Sequence, residues 1–331
     1  MLILDGTFTL TAGGGSDAHV DEATSAKGIK GLVNVTIDGG TITINAADDA
    51  IHSNGSLVIN AGDINIASGD DGMHADSTLE INGGAVQITE SYEGIESALI
   101  TINDGNISLV ASDDGINVAG GVDGSGMTSG MQPGGASQES FVYSGSYYLY
   151  INGGYIAVDA AGDGIDVNGA IEMTDGVVLV NGPTENMNGA LDSDGGFNIS
   201  GGFLVAAGSA GMAQAPGQSS SQNSALINFS AAQPAGTIVH IQNSAGEEIL
   251  TFAPTKQFQS IVFSSVKLVN GETYTVFTGG ESTGRVVDNL YPDGTYTPGE
   301  QFTSFTISSV VTTIGSSGSG GGGMGRPGRQ P

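Results

Sequence analysis

A short acidic phrase recurs at a nearly fixed interval, and this repeat constrains the fold more than any other feature of the sequence. Its four copies are Asp48-Asp49-Ala50-Ile51, Asp70-Asp71-Gly72-Met73, Tyr92-Glu93-Gly94-Ile95 and Asp113-Asp114-Gly115-Ile116. The acidic residue before the small residue advances by 22, 22 and 21 positions. An interval of this size is typical of a solenoid, in which each repeat buries its apolar face only against its neighbours.

Alternating apolar residues on either side of the phrase predict two strands in each repeat. In the first strand every second side chain faces the interior of a closed coil, and the expected interior residues are Ile42, Ile44, Ile64, Ile66, Val86 and Ile88. We therefore predict an all-β fold, a right-handed parallel β-helix with coils of about 22 residues. The right-handed sense follows from the strong preference for right-handed connections between parallel strands.

A polar residue ends the second strand of several repeats and marks the corner of the coil. The residues in this position are Asp38, Asn60, Asn82, Asn103 and Asn152, and a glycine follows each within two residues. We predict that these side chains form a ladder of hydrogen bonds from coil to coil. The glycines supply the backbone conformation that a sharp corner requires.

The organisation of the chain follows from where this period is interrupted and where it ends. The predicted β-helix spans 1–222, with surface loops inserted at 13–25, 120–138 and 208–222. From Leu226 the period is lost, and hairpin-like strands predict a small β cap at 223–311 that covers the last coil. Residues 312–331 are rich in glycine and serine, and we expect them to be disordered.

Charge and composition exclude several classes of partner. The formal net charge is −28, with seven Lys and Arg residues in all, which excludes nucleic acid and anionic membranes as partners. No run of 18 apolar residues occurs, so we expect no membrane insertion. The absence of cysteine is compatible with an extracellular or cell-surface protein. Because Met1 leads directly into a strand-like segment without a signal peptide, we expect the start to be truncated, and an open first coil allows end-to-end self-association.

Aligning the repeats predicts three outward-facing columns of polar side chains. The first contains Asp49, Asp71, Glu93, Asp114 and Asp163, with a further acid before it at Asp48, Asp70 and Asp113. The second contains His52, His74, Glu96, Asn117, Asp166 and Asp192. The third includes Asn54, Asp76, Asn168 and Asp194.

Stacked carboxylates need a counter-charge. At a spacing of about 4.8 Å two carboxylates repel by about 3.5 kcal/mol at an effective dielectric constant of about 20. No Lys or Arg occurs between Gly31 and Thr255, which leaves protonation, loose monovalent ions or bound divalent cations. Oxygen ligands favour Ca²⁺, so we predict calcium at the acidic columns, Asp166 included. The other interpretation is a solvated acidic face that keeps the solenoid soluble.

Other side chains are candidates for contact with a ligand. Tyr148 and Tyr150 alternate with Leu149 and Ile151, so both rings are expected to point outward. Such rings can stack on sugars; alternatively they pack under the loop that begins at residue 120. His52, His74, Asp76 and Glu96 are the polar candidates, and the histidines are interpreted as polar members of their column rather than as transition-metal ligands.

These motifs together resemble the secreted bacterial carbohydrate-binding β-helix family, which is typified by a clostridial cell-surface protein that binds cellulose and acidic sugar polymers. The similar features are Asp-Asp-Gly-Ile, strands that end in Ile-Asn-Gly-Gly and an insertion rich in Gly and Met. A late segment is similar too, and it contains Thr255-Lys256-Gln257-Phe258-Gln259-Ser260-Ile261-Val262-Phe263-Ser264-Ser265, Gly271-Glu272-Thr273-Tyr274 and Thr278-Gly279-Gly280. The resemblance extends from residue 5 to about residue 280.

The resemblance implies a right-handed β-helix that holds calcium on acidic residues of successive coils and binds polygalacturonate-like polysaccharide without known catalysis. It carries the calcium role to Asp48, Asp49, Asp70, Asp71, Glu93, Asp113, Asp114 and Asp163. Lys27 and Tyr92 depart from the acidic pattern. We therefore expect no site in the first coil and a weaker one in the third.

Three functions remain open on the sequence. The first is calcium-dependent, non-catalytic binding of an acidic polysaccharide, in which the metal bridges protein carboxylates to uronate carboxylates. The second is a structural surface, matrix or filament protein. The third is a pectin-active lyase or hydrolase, which the repetition of the acidic phrase disfavours, because an active site is normally singular and a lyase base is commonly Lys or Arg.

Overall fold

The computed structural model describes residues 1–20, 24–119 and 146–315 of the chain. Within these residues every regular element is a β-strand and no helix occurs. Consecutive strands of the first two hundred residues belong to three different sheets in turn, and each sheet pairs a strand with its counterpart one repeat later. Most of these pairings are parallel.

Three long sheets run along the stack, and within each of them neighbouring strands are joined by hydrogen bonds in spatial order. The first sheet contains Leu2–Ile3, Asn34–Ile37, Ser56–Ile59, Thr78–Ile81, Leu99–Ile102, Tyr148–Ile151, Ala170–Met173 and Gly196–Ile199. The second sheet contains Thr7–Ala12, Thr41–Ala46, Asp63–Ser68, Ala85–Glu90, Asn106–Ala111, Tyr155–Ala160, Val177–Asn181, Phe203–Gly208, Phe258–Ser265, Ser224–Gln233 and Val311–Ile314. The third sheet contains Asp192–Ser193, Ile165–Val167, Ile116–Val118, Ile95–Ser97, Met73–Ala75, Ile51–Ser53 and Ile29–Gly31.

Residues in the same phase of successive repeats lie side by side in these sheets. In the second sheet Ile42 pairs with Ile64, Ile64 with Val86, and Val86 with Ile107. Across the segment that is not described, Ile107 pairs with Ile156, so the register resumes after it. Long parallel sheets with this connectivity are compatible with a parallel β-helix.

The interior of the stack is a column of aliphatic side chains, as the alternation predicts. The six expected interior residues, Ile42, Ile44, Ile64, Ile66, Val86 and Ile88, are each at most 2% exposed. They belong to one continuous core that also contains the inward-facing residues of the first and third sheets. Burying this column is the main contribution to the stability of the stack, because each aliphatic side chain contributes about 1.5–3 kcal/mol on burial.

The predicted ladder at the corners is confirmed. Asn60 Nδ2 donates to Asp38 Oδ1 at 2.6 Å, and Asn82, Asn103 and Asn152 each donate to the preceding member at 2.9, 2.7 and 2.9 Å. The glycines that follow adopt positive φ, for example 91° at Gly84. A Cβ atom at Gly84 would lie 2.8 Å from the carbonyl oxygen of Gly62, so the stacking of the corners excludes a side chain there.

The segment after residue 223 closes the stack through antiparallel pairing. Phe258–Ser265 pairs antiparallel with Phe203–Gly208, the last strand of the parallel series. Leu179 and Val205, on the outer face of the second sheet, pack into a second core with aromatic side chains of this segment. The segment therefore covers the side of the last coils as well as their edge. Its other strands form a sheet of Glu248–Phe252, Val239–Asn243, Thr273–Thr278 and Glu300–Thr306, and a pair of Glu281–Ser282 and Tyr296–Thr297.

Two of the expected irregular segments differ from the prediction. Residues 208–222 are not a loop detached from the sheets. The backbone N–H groups of Gly217 and Ser221 donate to the carbonyl oxygens of Phe197 and Ile199, at the edge of the first sheet. The sequence predicts disorder from residue 312, but Val311–Ile314 is a strand that pairs parallel with Ser224–Gln233. The rest of the tail, from residue 316, and the loop at 120–138 lie outside the described residues.

Candidate functional site

The acidic phrase forms the corner that leads into each strand of the third sheet. Backbone bonds stack these corners directly, since Gly72 N donates to Glu93 O at 2.9 Å and Gly94 N to Asp114 O at 3.0 Å. A Cβ atom at Gly94 would lie 2.3 Å from the carbonyl oxygen of Gly115. The small residue in the phrase is therefore required by the close stacking, and the acidic side chains beside it are held in register.

The register of the second column is confirmed by the pairing of the third sheet. Its successive neighbours are Lys30, His52, His74, Glu96, Asn117, Asp166 and Asp192. In the third column Asn54 Nδ2 donates to Asp76 Oδ2 at 3.3 Å. Sequence spacing therefore identified which polar side chains become neighbours.

Solvent exposure of the columns differs from the prediction. Asp49, His52 and His74 are at most 2% exposed, and Asp48, Asp71 and Asp166 are also buried. The other acidic candidates, Asp70, Glu93, Glu96, Asp113, Asp114 and Asp163, are half-buried. The columns are therefore more enclosed than the alternative interpretation, a solvated acidic face, would require.

Lys27 supplies a counter-charge that the sequence pattern did not predict. Its Nζ lies 2.7 Å from Asp48 Oδ1 and 2.6 Å from Asp49 Oδ2, and its side chain is 5% exposed. Burial raises the pKa of Asp48, but the Lys27 ammonium and the backbone N–H groups of Asp49 and Ala26 outweigh burial and hold that pKa below its ordinary value. The expectation that no basic side chain serves the columns was wrong at this corner, because Lys27 precedes Gly31 and reaches the neighbouring coil.

His74 is the second internal cation. Its Nδ1 lies 2.6 Å from Glu96 Oε2 and 3.2 Å from Asp71 Oδ2, and its Nε2 lies 3.2 Å from Asp76 Oδ1. Burial lowers the pKa of His74, but the hydrogen bonds and charges of Asp71 and Glu96 outweigh it and raise the pKa to about 11. His74 is therefore an imidazolium at neutral pH. This supports its interpretation as a polar member of the column rather than a transition-metal ligand.

His52 occupies the same position in the column as His74, one coil earlier. Its ring stacks on that of His74 with centroids 4.9 Å apart and an interplanar angle of 6°. Its Nδ1 lies 2.7 Å from Asp49 Oδ2, while the buried Nε2 has no hydrogen-bond partner within the described residues.

Carboxyl groups further along the column have raised pKa values. Burial, and then the charge of Glu96, raises the pKa of Glu93 to about 8. Burial, and then the charges of Asp163 and Asp113, raises the pKa of Asp114 to about 8. Burial also raises the pKa of Asp71 well above its ordinary value, with Asp49 and Glu93 adding to the effect. A cation beside these groups would lower their pKa values and relieve their mutual repulsion.

Four groups of side chains bring ligand atoms within 4.8 Å of one another in the described residues. They are Asp48, Asp49 and Asp70; Asp49, Asp71 and His74; Asp71, Glu93 and Glu96; and Asp114, Asp163 and Asp166. Lys27 binds two carboxylates of the first group, and the His74 ring already bonds to carboxylates in the second. Neither position favours a metal ion. Asp113 and Asp76 belong to none of the four groups.

The group of Asp114, Asp163 and Asp166 best fits a hard cation. It offers only carboxylate oxygens, which are the ligands that Ca²⁺ prefers. The group of Asp71, Glu93 and Glu96 also offers only carboxylates, but His74 bonds to two of its three members. The buried Asn117 Oδ1, between Glu96 and Asp166 in the third sheet, has no hydrogen-bond partner within the residues described. The Nδ2 of the same side chain donates to Glu93 Oε2 at 2.9 Å. Asn117 is the cross-strand neighbour of Asp166, and a buried acceptor oxygen of this kind could be satisfied by a cation.

The aromatic candidates lie on a different face of the molecule. Tyr148 and Tyr150 are half-buried on the outer side of the first sheet, and Leu149 and Ile151 between them are fully buried. The two tyrosine rings stack with centroids 5.5 Å apart and an interplanar angle of 9°. The expectation that both rings point outward is confirmed. The loop that would cover them in the alternative interpretation lies outside the described residues.

One contact to the column comes from a segment that the sequence predicts to be a loop. Gln214 Nε2 donates to Asp192 Oδ1, and Ser193 N donates to Gln214 Oε1 at 3.2 Å. Burial and the charge of Asp194 raise the pKa of Asp192. The low-complexity sequence around Gln214 contains no signal that predicts this contact.

A comparison with protein families finds a match over the first part of the chain. The model of a family described as carbohydrate-binding domain-containing protein matches residues 1–72. This match confirms the resemblance over those residues, which include Lys27, the first copy of the acidic phrase and the second copy up to Gly72. No curated protein matches the chain, and no solved structure matches it. The described part of the chain contains no helix that is long and apolar enough to cross a membrane.

Proposed function

We propose that the chain is a non-catalytic protein that binds polysaccharide outside the cell in a calcium-dependent manner. Its proposed fold is a right-handed parallel β-helix of about 22 residues per coil. The family match at residues 1–72 supports carbohydrate as the partner. The group of Asp114, Asp163 and Asp166 carries the calcium part of the proposal, because it gathers three carboxylates where burial and repulsion raise the pKa of Asp114 to about 8.

The residues proposed to hold the ion are Asp114, Asp163 and Asp166, with the unsatisfied Asn117 Oδ1 as a neutral oxygen. Calcium there supplies positive charge that stabilises the ionised carboxylates. These residues belong to two successive coils, and Asp163 N also donates to Asp114 Oδ1 at 2.6 Å. Binding at this position therefore couples the coils on either side of the segment that is not described.

An acidic polysaccharide is the ligand class that this arrangement favours. The chain has a net charge of −28 and would repel a polyanion without a cation between them. Asp113, Asp114 and Asp163 are half-buried rather than fully enclosed, so the site retains access to solvent. A uronate carboxylate of a polygalacturonate-like chain is the proposed external ligand.

The arrangement disfavours catalysis. The acidic corners recur in successive coils with the same backbone stacking, whereas a glycosidase places one general acid against one nucleophile or base. A lyase of acidic polysaccharide would need a strong base. Lys27 is paired with two carboxylates, and the exposed Lys30 lies four strands before Asn117 in the third sheet.

One observation favours a second candidate, a structural protein that assembles end to end. Apolar side chains are exposed near the first coils, at Met1, Leu2, Leu4, Leu32 and Val33, and the exposed fraction reaches 78% at Leu32. Such a patch favours association with another surface. Sedimentation of the protein across a hundredfold range of concentration tests this candidate.

The test of the main proposal is thermal unfolding in EDTA, in MgCl₂ and in CaCl₂, combined with affinity electrophoresis in polygalacturonate. Calcium at about one hundred times its Kd should stabilise the protein by about 2.7 kcal/mol, and retardation by polygalacturonate should require calcium. The double variant Asp163→Asn/Asp166→Asn should lose both effects. The control is Glu300→Gln, which removes an exposed carboxylate at the start of the strand Glu300–Thr306, far from the columns along the chain. Equal midpoint temperatures of unfolding in EDTA and in CaCl₂ would exclude the calcium site.

A further inference from the structure

The amine of Lys27 is enclosed between two carboxyl groups of the neighbouring coil, in an arrangement that can react as well as attract. Its Nζ lies 2.7 Å from Asp48 Oδ1 and 2.6 Å from Asp49 Oδ2. The three side chains are at most 7% exposed. An amine held this close to a carboxyl group has already lost the freedom of motion that normally opposes condensation.

The two carboxyl groups differ in their other contacts. Asp48 Oδ1 accepts the backbone N–H of Asp49 at 2.9 Å, and Asp48 Oδ2 accepts that of Ala26 at 3.1 Å. These bonds stabilise Asp48 as a carboxylate, which is the form that accepts a proton. Asp49 Oδ2 contacts side chains instead, namely Lys27 and, at 2.7 Å, His52 Nδ1. Asp48 is therefore placed to act as the proton acceptor and Asp49 as the group that the amine attacks.

We propose that Lys27 Nζ and Asp49 Cγ form an intramolecular amide bond that joins two neighbouring coils covalently. The ion pair forms on folding, and the amide forms from it. Asp48 takes one proton from the Lys27 ammonium, and the resulting amine attacks Asp49 Cγ as the bond from Cγ to Oδ2 breaks. The two protons lost by Nζ leave with Oδ2 as one molecule of water, so the step needs no oxidant or reductant. Burial favours it, because two charges are replaced by a neutral amide.

The position of the pair gives this bond a structural consequence. Lys27 precedes Ile29–Gly31, which is the outermost strand of the third sheet in the described residues and pairs there only with Ile51–Ser53. A strand at the edge of a stack opens more readily than one inside it. The chain contains no cysteine, so no disulfide can hold this strand. The amide closes a loop between the two coils and thereby limits the opening of the edge strand.

Lys256 provides a comparison within the same chain. Its Nζ lies 2.8 Å from Asp159 Oδ1, but these two side chains are 26% and 35% exposed. Water solvates both ions there and stabilises them against condensation. A similar distance therefore predicts an amide at Lys27 and an ordinary ion pair at Lys256.

The test is the intact mass of the purified full chain, combined with tandem mass spectrometry of a peptic digest. The wild type should be about 18 Da lighter than its sequence requires, and one linked pair of peptides should join Lys27 to Asp49. Lys27→Arg keeps the positive charge but removes the reactive amine, so it should have its full sequence mass. Asp48→Asn removes the proton acceptor and should lower the linked fraction about tenfold or more. Lys256→Arg is the matched control and should retain the loss of water.

Other results would overturn the proposal. A wild type with its full sequence mass excludes the amide. A loss of water that persists in Lys27→Arg lies elsewhere, for example in a succinimide at an Asp-Gly pair such as Asp71-Gly72. A link from Lys27 to Asp48 would contradict the roles assigned to the two aspartates. Circular dichroism of each variant identifies loss of folding, and Asp48→Asn tests the proposal if Lys27→Arg unfolds.

Discussion

His74 Nδ1 lies 2.6 Å from Glu96 Oε2, although the two residues are 22 positions apart in the chain. They meet because Met73–Ala75 and Ile95–Ser97 are neighbours in register in the third sheet. The pair places a buried positive charge between successive acidic corners. Together with Lys27 two coils earlier, it divides the acidic column into a part paired with protein cations and a part proposed to bind a metal.

Replacing His74 by glutamine should destabilise the protein. The change leaves Asp71, Glu96 and Asp76 without their imidazolium, and removing one partner of a buried charge pair costs about 3–5 kcal/mol. Urea unfolding at pH 7 measures the change. His19→Gln replaces an exposed histidine and should leave the free energy of unfolding within about 0.5 kcal/mol of the wild type. Equal stability of the two variants would contradict the role assigned to His74.

Replacing Lys27 by methionine should have a comparable effect at the first acidic corner. Its ammonium bonds to Asp48 and Asp49, both of which are buried, so the loss should be about 3 kcal/mol. The second change Asp48→Asn should recover part of this loss, because it removes one of the uncompensated charges. Lys30→Met, at an exposed position, is the control. The free energies of unfolding of the wild type, Lys27→Met, Asp48→Asn and the double variant form a cycle that measures the Lys27–Asp48 coupling, and a coupling near zero would contradict this pairing.

The metal-free protein should lose stability as the pH rises. The pKa values of Glu93 and Asp114 are raised to about 8 in the folded state, whereas an unfolded carboxyl group titrates near pH 4. The folded state thus binds protons more tightly, and stability falls as the pH rises from about 4 through 8. His74 acts in the same direction, since its stabilising contribution is full below about pH 6.5 and is lost as the pH rises toward about 11.

Thermal melts in EDTA from pH 5 to pH 9 measure this dependence. The midpoint should decline steadily, with a slope in free energy of at most about 1.4 kcal/mol per pH unit for each group. The variant Glu93→Gln/Asp114→Asn should show a shallower decline. A midpoint that rises with pH in EDTA would show that these carboxyl groups are ionised without a cation.

The corner glycines should be sensitive to substitution in proportion to their crowding. Gly84 has φ of 91° and would place a Cβ atom 2.8 Å from the Gly62 carbonyl oxygen, whereas Gly236 has φ of 76° and nothing within 4 Å. Gly236→Ala should cost about 1–2 kcal/mol from backbone strain alone. Gly84→Ala should cost more, because a neighbouring coil must shift. Urea midpoints of the two variants provide the comparison, and equal losses would show that stacking does not crowd the corner.

The repeat alone predicted which side chains become neighbours. Parallel strands in register place residues of equal phase side by side, so the column from His52 to Asp192 and the ladder from Asp38 to Asn152 could be derived by alignment. The alternation of Tyr148 and Tyr150 with buried residues followed in the same way, because the side-chain period of a strand is two.

Only the tertiary structure decided how those columns are neutralised and how much water reaches them. The burial of Asp49 and His74, the reach of Lys27 to the next coil and the contact of Gln214 with Asp192 depend on side-chain conformation and on neighbouring elements. The antiparallel closure by Phe258–Ser265 likewise joins strands that share no period. Periodicity specifies the phase of a residue along the coil, whereas burial and charge pairing are set by what packs around it in three dimensions.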